Sequence, residues 1–364
     1  MRMYLQMDEH QLDEHQQAIL DTFYDSPAYF VRGLEEDRKM LVLQRMSRQT
    51  YQSSSFLNEK LAAADDLYHL LPLDQTLAHF RQSAPQPKPI HFIFHFAFCG
   101  STLLSRCMDY PNHTMVYKEP DLLHQIGYYL RFPNVYSLPA KELLSFGLSS
   151  VQRTFHSIEI PIVKLTDSCS NLPALCLDVH AQARAIVVYN SLETFLLATL
   201  KSRKRRQYTR GMYIRARDDM ASAGISLDVS KNMLSDAQMS GYVWLSLMYR
   251  YTDWLSRYGS RFRSLKMDSL LAAPLQTMQA ASSFMNLKIP PSLLEKSLEQ
   301  GVLTKHAKAQ HLQFDGTTYQ SQKAMLMASL ATEIEAGQEW VRQLKTQFPI
   351  AETLPAPLLP ASTL

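Results

Sequence analysis

The residues best placed to do chemistry lie between 91 and 104. An apolar run from His91 to Phe96 is followed by Ala97, Phe98 and Cys99, and then by Gly100, Ser101 and Thr102. The pattern predicts a buried strand, a tight loop and a helix that opens on Gly100-Ser101-Thr102. Such a junction makes an anion site, because unpaired N–H groups and the positive end of the helix dipole face the loop. Gly100 allows close backbone approach, and Ser101 and Thr102 add hydroxyl donors. The loop lacks the G-x-x-x-x-G-K-[ST] spacing of a Walker A loop: His95 stands at the first Gly and Ser101 at the Lys, so ordinary ATP chemistry is disfavoured. His95 alternates with large apolar residues and reads as a core histidine.

A second cluster follows at Lys118-Glu119-Pro120. A glutamate titrating near about 4.3 is a weak base toward an alcohol, and partial burial beside the loop would raise it into a useful range. Pairing with Lys118, or a place in the first turn of a helix starting near Pro120, is the structural alternative. Adjacent strand residues face opposite ways, so one of Lys118 and Glu119 enters the site. Lys164 ends another apolar run, where it faces either the ligand crevice or Asp167. Asn190 to Glu193 reads as a capping box at a helix start. Eight basic residues lie between 201 and 217, and they suit either an anionic ligand or a solvated helix face.

These groups need a scaffold, and the apolar pattern supplies one. Runs at Ile90–His95, Met115–Tyr117, Ile160–Leu165, Ala185–Tyr189 and Phe262–Met267 alternate with helical patterns. That alternation predicts an α/β fold, a three-layer sandwich with a central parallel sheet of about five strands. Ligands of such sheets bind at the carboxyl ends of the strands, where each group above is placed. Residues 1–87 are expected to form a helical region with amphipathic segments at Gln11–Tyr24, Glu36–Arg48 and Asp74–Arg81, closed by a Pro-rich connector at 83–89. Residues 88–347 are expected to form the α/β domain. The Pro-punctuated tail, 348–364, is expected to be extended or disordered. The stripe through Met239–Trp254 reads as core packing.

Composition limits the function classes. The 364 residues carry a net charge of +3, are 46% hydrophobic and 20% charged, and suit a globular protein with no bias toward nucleic acid. No apolar run is long enough to span a membrane, and residues 1–21 have no signal-peptide core. Cys99, Cys107, Cys169 and Cys176 show no metal or disulfide spacing, which suits reduced thiols and a cytoplasmic location.

The run Ala97-Phe98-Cys99-Gly100-Ser101-Thr102-Leu103-Leu104 resembles the 5′-phosphosulfate loop of the sulfotransferase family, P-[KR]-[ST]-G-[ST]-T-x-L. Gly100, Ser101, Thr102 and Leu104 fit, whereas Phe98 stands where the family carries a cationic Lys or Arg. Two further segments are similar. Tyr189 to Leu197 lies over R-x-P-x-[DE]-x-x-x-S, with Tyr189 at the Arg and Leu197 at the Ser that hold the 3′-phosphate. Phe262 to Pro274 resembles the late strand and [YF]-E-D-L-x-x-x-P segment, with Asp268 at the Glu. A divergent bacterial-type member is implied, with a P-loop-type fold.

The resemblance implies binding of PAPS (3′-phosphoadenosine 5′-phosphosulfate) on Cys99, Gly100, Ser101, Thr102 and Leu103, with Asn190 and Ser191 at the second helix start. Arg203, Arg205, Lys305 and Lys308 would be further phosphate contacts. It implies sulfuryl transfer to a hydroxyl or amine of a small molecule or peptide, Glu119 as base, Lys118 as a replacement cation, and no metal. Two alternatives stay open: a catalytically lapsed nucleotide-binding or interaction module, and a kinase or other transferase with a different phosphorylated donor. A homodimer is compatible with the sequence, and a nucleic-acid or membrane partner is not expected.

Overall fold

A computed structural model describes residues 12–58, 61, 68–83, 86, 88–133, 135, 138–225, 234–303, 305–306, 309–313 and 316–360. Its centre is a five-stranded parallel sheet of β4 (His91–His95), β5 (Thr114–Lys118), β6 (Ile160–Lys164), β7 (Ala185–Tyr189) and β8 (Phe262–Lys266), in the order β5-β6-β4-β7-β8. Every residue of β4, β5 and β7 is buried. Helices cover both faces, so the strands read as unbroken apolar runs rather than alternating ones. The chain leaves β4 toward β5 but leaves β7 toward β8. A crevice therefore opens at the carboxyl ends of these neighbours.

The chain before β4 was expected to be helical, and it departs from that expectation. It contains α1 (Glu14–Asp21), α2 (Arg48–Ser53) and α3 (Leu73–Ser83), but also an antiparallel sheet of β1 (Tyr29–Glu35), β2 (Met40–Arg45) and β3 (Tyr68–Pro72). The segment Glu36–Arg48, whose pattern predicts an amphipathic helix, instead carries β2 over Met40–Arg45, after a single 3-10 turn at Glu36–Arg38. Leu41 pairs with both Leu34 and Leu71, and Leu43 with Val31 and His69. Leu41, Leu43 and Leu71 are fully buried. These cross-strand contacts outweigh the weak local helix preference of Leu and Met. The same apolar cluster runs from Phe23 and Phe30 into the parallel sheet. Arg153 ties the two together, donating to the carbonyls of Phe23, Ser26, Tyr29 and Ser150 with its guanidinium over the Phe23 ring.

The remaining helices are α4 (Ser101–Cys107), α5 (Asp121–Arg131), α6 (Ala140–Ser150), α7 (Pro173–Val179), α8 (Leu192–Leu200), α9 (Arg203–Ser222), α10 (Asp236–Tyr258), α11 (Met267–Ala272), α12 (Pro274–Met285), α13 (Pro291–Glu299) and α14 (Gly316–Gln347). A short hairpin, β9 (Lys305–His306) and β10 (Ala309–Gln313), precedes α14. The Met239–Trp254 stripe is core: Tyr242, Trp244, Leu245, Met248 and Tyr251 of α10 are buried. A Cβ at Gly241 would stand 2.6 Å from Val341 Cγ2, so the absent side chain is what lets α14 lie close against α10.

The tail follows the extended of its two expected forms. Ala356 O accepts from Ser264 N at 2.9 Å, and Leu358 N donates to Ser264 O at 2.7 Å. The segment thus lies parallel along the free edge of β8, with Leu354 and Leu359 buried. Edge pairing of this kind covers otherwise unpaired backbone groups.

Candidate functional site

The loop between β4 and α4 carries two left-handed residues, Phe98 at φ 60° and Gly100 at φ 89°. Glycine accepts this conformation without cost, and Gly100 also needs its missing side chain, because a Cβ would lie 3.0 Å from Met267 Cε. Phe98 holds it at a cost of order 1 kcal/mol or more, strain of the kind that clusters at functional sites. Ser101 and Thr102 begin α4, so their N–H groups have no acceptor inside the helix. Both residues are buried, as is Cys99. Leu103 corrects its expected role: its N–H donates to Gly100 O at 2.8 Å, and its side chain joins the core.

The alternation at Lys118 and Glu119 resolves in favour of Glu119. Lys118 turns away from the crevice, and its buried ammonium donates to Asp109 Oδ2 at 2.8 Å, Tyr51 O at 2.9 Å and Gln52 O at 3.1 Å. It is a structural cation, which corrects its expected place beside the loop. Glu119 also has a left-handed backbone, at φ 58°, and its N–H donates to Lys164 O at 2.7 Å. Its carboxylate pairs with the Lys164 ammonium. Of the two places the sequence allows Lys164, toward the crevice or toward Asp167, the structure shows the first: its partner is Glu119, while Asp167 accepts the Tyr208 hydroxyl at 2.7 Å.

Behind this pair stands His95. Its Nδ1 lies 2.9 Å from Phe96 O, and its Nε2 lies 3.6 Å from Glu119 Oε1. That distance is too long for a hydrogen bond, and Nε2 is buried without a partner among the described residues. Burial and the Lys164 charge oppose protonation of the ring, but Cys99 and Glu119 beside it outweigh them and raise the pKa to about 9. For Glu119, burial alone would raise the carboxyl. The Lys164 ammonium and the His95 imidazole reverse this and hold it well below the usual carboxylate range. The expected upward shift is thereby overturned, because that expectation counted desolvation without these two cations. At neutral pH two cations and one carboxylate give the cluster a net positive charge. His95 is a site residue that its apolar neighbours concealed, and a polar side chain at the last position of a strand was the available signal.

The basic run separates into distinct roles along α9. Arg205 places its guanidinium 4.3 Å from the Phe98 ring centroid, close enough for a cation–π contact, and donates to Ala198 O at 2.8 Å. Tyr208 packs edge-on against the same ring. A cation thus reaches the loop from α9, although the loop's own side chain is phenyl. Arg206 binds Glu333 with two hydrogen bonds of 2.6 and 2.9 Å, and Arg210 pairs with Asp236. Arg203 lines a cleft of about 410 Å³ with Arg206, Gln207 and Arg210.

At the second helix start, the N-cap is Ser191, which accepts from Thr194 N. The expected capping box from Asn190 to Glu193 is displaced by one residue and absent, since Thr194 occupies N3. Asn190 is buried, and its carbonyl accepts from Trp244 Nε1 at 3.1 Å. Tyr189 Oη accepts from Leu354 N at 3.3 Å, so the tail reaches the position compared above with a phosphate-binding Arg. Lys305 lies in β9, and Lys308 lies outside the described residues. Among the described residues no group of three His, Cys, Asp or Glu side chains is placed to hold a metal ion. No helix there is long and apolar enough to cross a membrane. All four cysteines are buried free thiols.

No family model matches the chain, and no curated protein does. Solved structures similar to it include three sulfotransferase or PAP-bound proteins, all at low scores. The sulfotransferase domain from the curacin biosynthetic pathway is 14% identical, with 74% of this chain and 100% of that one covered and a TM-score of 0.38. A sulfotransferase from Alicyclobacillus acidocaldarius is 12% identical over 69% and 95%, with a TM-score of 0.33. Retinol dehydratase, in a complex with retinol and PAP, is 10% identical over 94% and 97%, with a TM-score of 0.36. At these values the likeness assigns no role to any residue of this chain.

Proposed function

We propose that this chain transfers a sulfuryl group from PAPS to a hydroxyl or amine acceptor, with the donor's 5′-phosphosulfate on the Phe98–Thr102 loop. The observation that carries the reading is the Lys164–Glu119–His95 cluster, which sits at the loop's entrance and holds a net positive charge. It supports a role in neutralising a leaving phosphate where Phe98 supplies no charge, and Arg205 over the Phe98 ring adds a further cation. In the reaction the acceptor oxygen or nitrogen forms a bond to sulfur, the bond from sulfur to the 5′-phosphate oxygen breaks, and 3′,5′-ADP leaves with the electron pair. The acceptor's proton passes to the Glu119 carboxylate. Because Lys164 holds that carboxylate, Glu119 is a weak base while paired. Transfer of the Lys164 ammonium to the developing phosphate charge would free it as the proton departs.

One alternative has an observation in its favour. The depressed Glu119 carboxyl and the tail's hydrogen bond to Tyr189 suit a nucleotide-binding module without turnover. Steady-state assays with PAPS and a panel of phenol, alcohol and amine acceptors separate the two. Sulfuryl transfer by the wild type, lost in Glu119→Gln and retained in Phe98→Ala, supports the transferase. Binding of 3′,5′-ADP with no turnover on any acceptor supports the module.

A further inference from the structure

The turn after β6 runs from Asp167 to Cys169, at the carboxyl end of a central strand, where parallel sheets bind their ligands. Tyr208 joins it to the Gly100 loop. Its hydroxyl donates to Asp167 Oδ1 at 2.7 Å, and its ring lies against Phe98 with the centroids 5.5 Å apart. Both carboxylates of the crevice act on this tyrosine. Burial foremost, then Asp167 and more weakly Glu119, raise its phenol far above the ordinary value, against the opposing charge of Arg215. The hydroxyl therefore keeps its proton, and Asp167 Oδ1 stays committed to it.

The other oxygen of that carboxylate is in a different state. Asp167 Oδ2 is buried and completes no hydrogen bond among the described residues. Arg215 Nη2 stands 3.7 Å from it, close enough to balance the charge but too far to donate. A carboxylate oxygen has lone pairs for two donors, and a buried one that receives none is an exception in folded proteins. The same turn holds a second case: Ser168 is 6% exposed, and its Oγ also has no partner there. A tenth of the Asp167 side chain is open to solvent and the aspartate χ2 torsion is soft, so a group in the crevice can reach the carboxylate. The fitting group is a neutral donor. Arg215 already balances the Asp167 charge, and the Lys164–Glu119–His95 cluster is net positive. An ammonium would find no uncompensated carboxylate, whereas a hydroxyl needs only the unused lone pairs.

We propose that Asp167 selects the acceptor, taking through Oδ2 a hydrogen bond from a second hydroxyl adjacent to the one that is sulfated, so that 1,2-diols are the preferred substrates. The proposal rests on the sulfuryl-transfer reading above and narrows its acceptor. The reacting hydroxyl gives its proton to Glu119, while its neighbour is held by Asp167. Steady-state transfer from PAPS to cyclohexane-1,2-diol, cyclohexanol and 2-aminocyclohexanol tests it, with 3′,5′-ADP titrated into the same preparation. For the wild type, kcat/KM for the diol should exceed that for the other two at least about tenfold, as a hydrogen bond to a charged acceptor requires, with the difference carried by KM. Asp167→Asn keeps the oxygen that Tyr208 binds and replaces Oδ2 by an amide nitrogen that cannot accept, so the diol's advantage over cyclohexanol should fall to about twofold, the statistical factor for two hydroxyls. Equal handling of diol and cyclohexanol by the wild type overturns the proposal, as does preference for the amino alcohol. So does an Asn variant that keeps the wild-type preference, or one that loses transfer to all three acceptors alike, the mark of a purely structural role. Binding of 3′,5′-ADP without transfer to any of the three overturns it while the donor site stands. Absence of 3′,5′-ADP binding overturns the donor reading and the proposal together.

Discussion

Removing the His95 imidazole should erase a defined piece of the protein's pH dependence. In the fold its pKa is raised from 6.5 to about 9, against the opposing effects of burial and Lys164, by Cys99 and Glu119. A group raised in this way stabilises the folded state fully below its unfolded pKa, and that stabilisation is lost as pH rises through the folded value. The shift corresponds to about 3 kcal/mol at most, and between pH 7 and 8.5 about 2 kcal/mol of it should disappear. Few other groups obscure this window. His91 is lowered to about 4 by burial and Arg184, so it titrates below. Burial raises Cys107 and Cys169 to about 12, so their own loss of stabilisation begins near pH 9. Urea unfolding followed by tryptophan fluorescence at pH 7.0, 7.5, 8.0 and 8.5 reads the effect directly. Wild type should lose about 2 kcal/mol across the series, while His95→Gln should stay within about 0.5 kcal/mol. Equal slopes for the two proteins would refute the claim that Cys99 and Glu119 hold His95 as a cation.

Three further outcomes follow from single contacts. Lys118→Met should cost about 2–4 kcal/mol in urea unfolding, because Asp109 Oδ2 and two carbonyls lose their buried donor while Arg48 still holds Asp109 Oδ1, yet leave 3′,5′-ADP affinity unchanged in the folded fraction by calorimetry. Gly100→Ala should lower stability by about 1–2 kcal/mol, since it forces a side chain into a left-handed position against Met267; an unchanged melting temperature would contradict the loop geometry. Leu354→Ala should cost about 2–4 kcal/mol by chemical denaturation, the range for a buried leucine, and an unaffected midpoint would mean that the tail is not seated on β8.

How much was legible in the sequence depended on how local the cause was. The five central strands stood out because both faces of each are covered, so Phe92, Ile93 and Phe94 or Ile186, Val187 and Val188 form unbroken apolar runs. The Met40–Arg45 strand did not, because its second partner, Tyr68–Pro72, begins more than twenty residues later and local pattern alone fits a helix. The Gly100 loop was legible from three adjacent residues. That only one of Lys118 and Glu119 could face it was also legible, but not which one. The choice depends on Asp109 reaching Lys118 and on the register that sets Lys118 beside Lys164 across β5 and β6. The Glu119 carboxyl was expected to rise with burial and instead falls, since that same register delivers the Lys164 ammonium. Arg205 over Phe98 is a consequence of how α9 docks. No spacing along the chain encodes it.

Together the loop, the charged cluster and Arg205 are proposed as a site for a nucleotide with both 3′- and 5′-phosphates. Calorimetric titration with 3′,5′-ADP, beside ADP with Mg²⁺, tests it most directly. The expected result is micromolar binding of 3′,5′-ADP, about −8 kcal/mol, with ADP much weaker and with affinity reduced about tenfold in Arg205→Ala, as loss of a charge-assisted phosphate contact requires. Absence of heat with either nucleotide, or tighter binding of ADP with Mg²⁺, would contradict it.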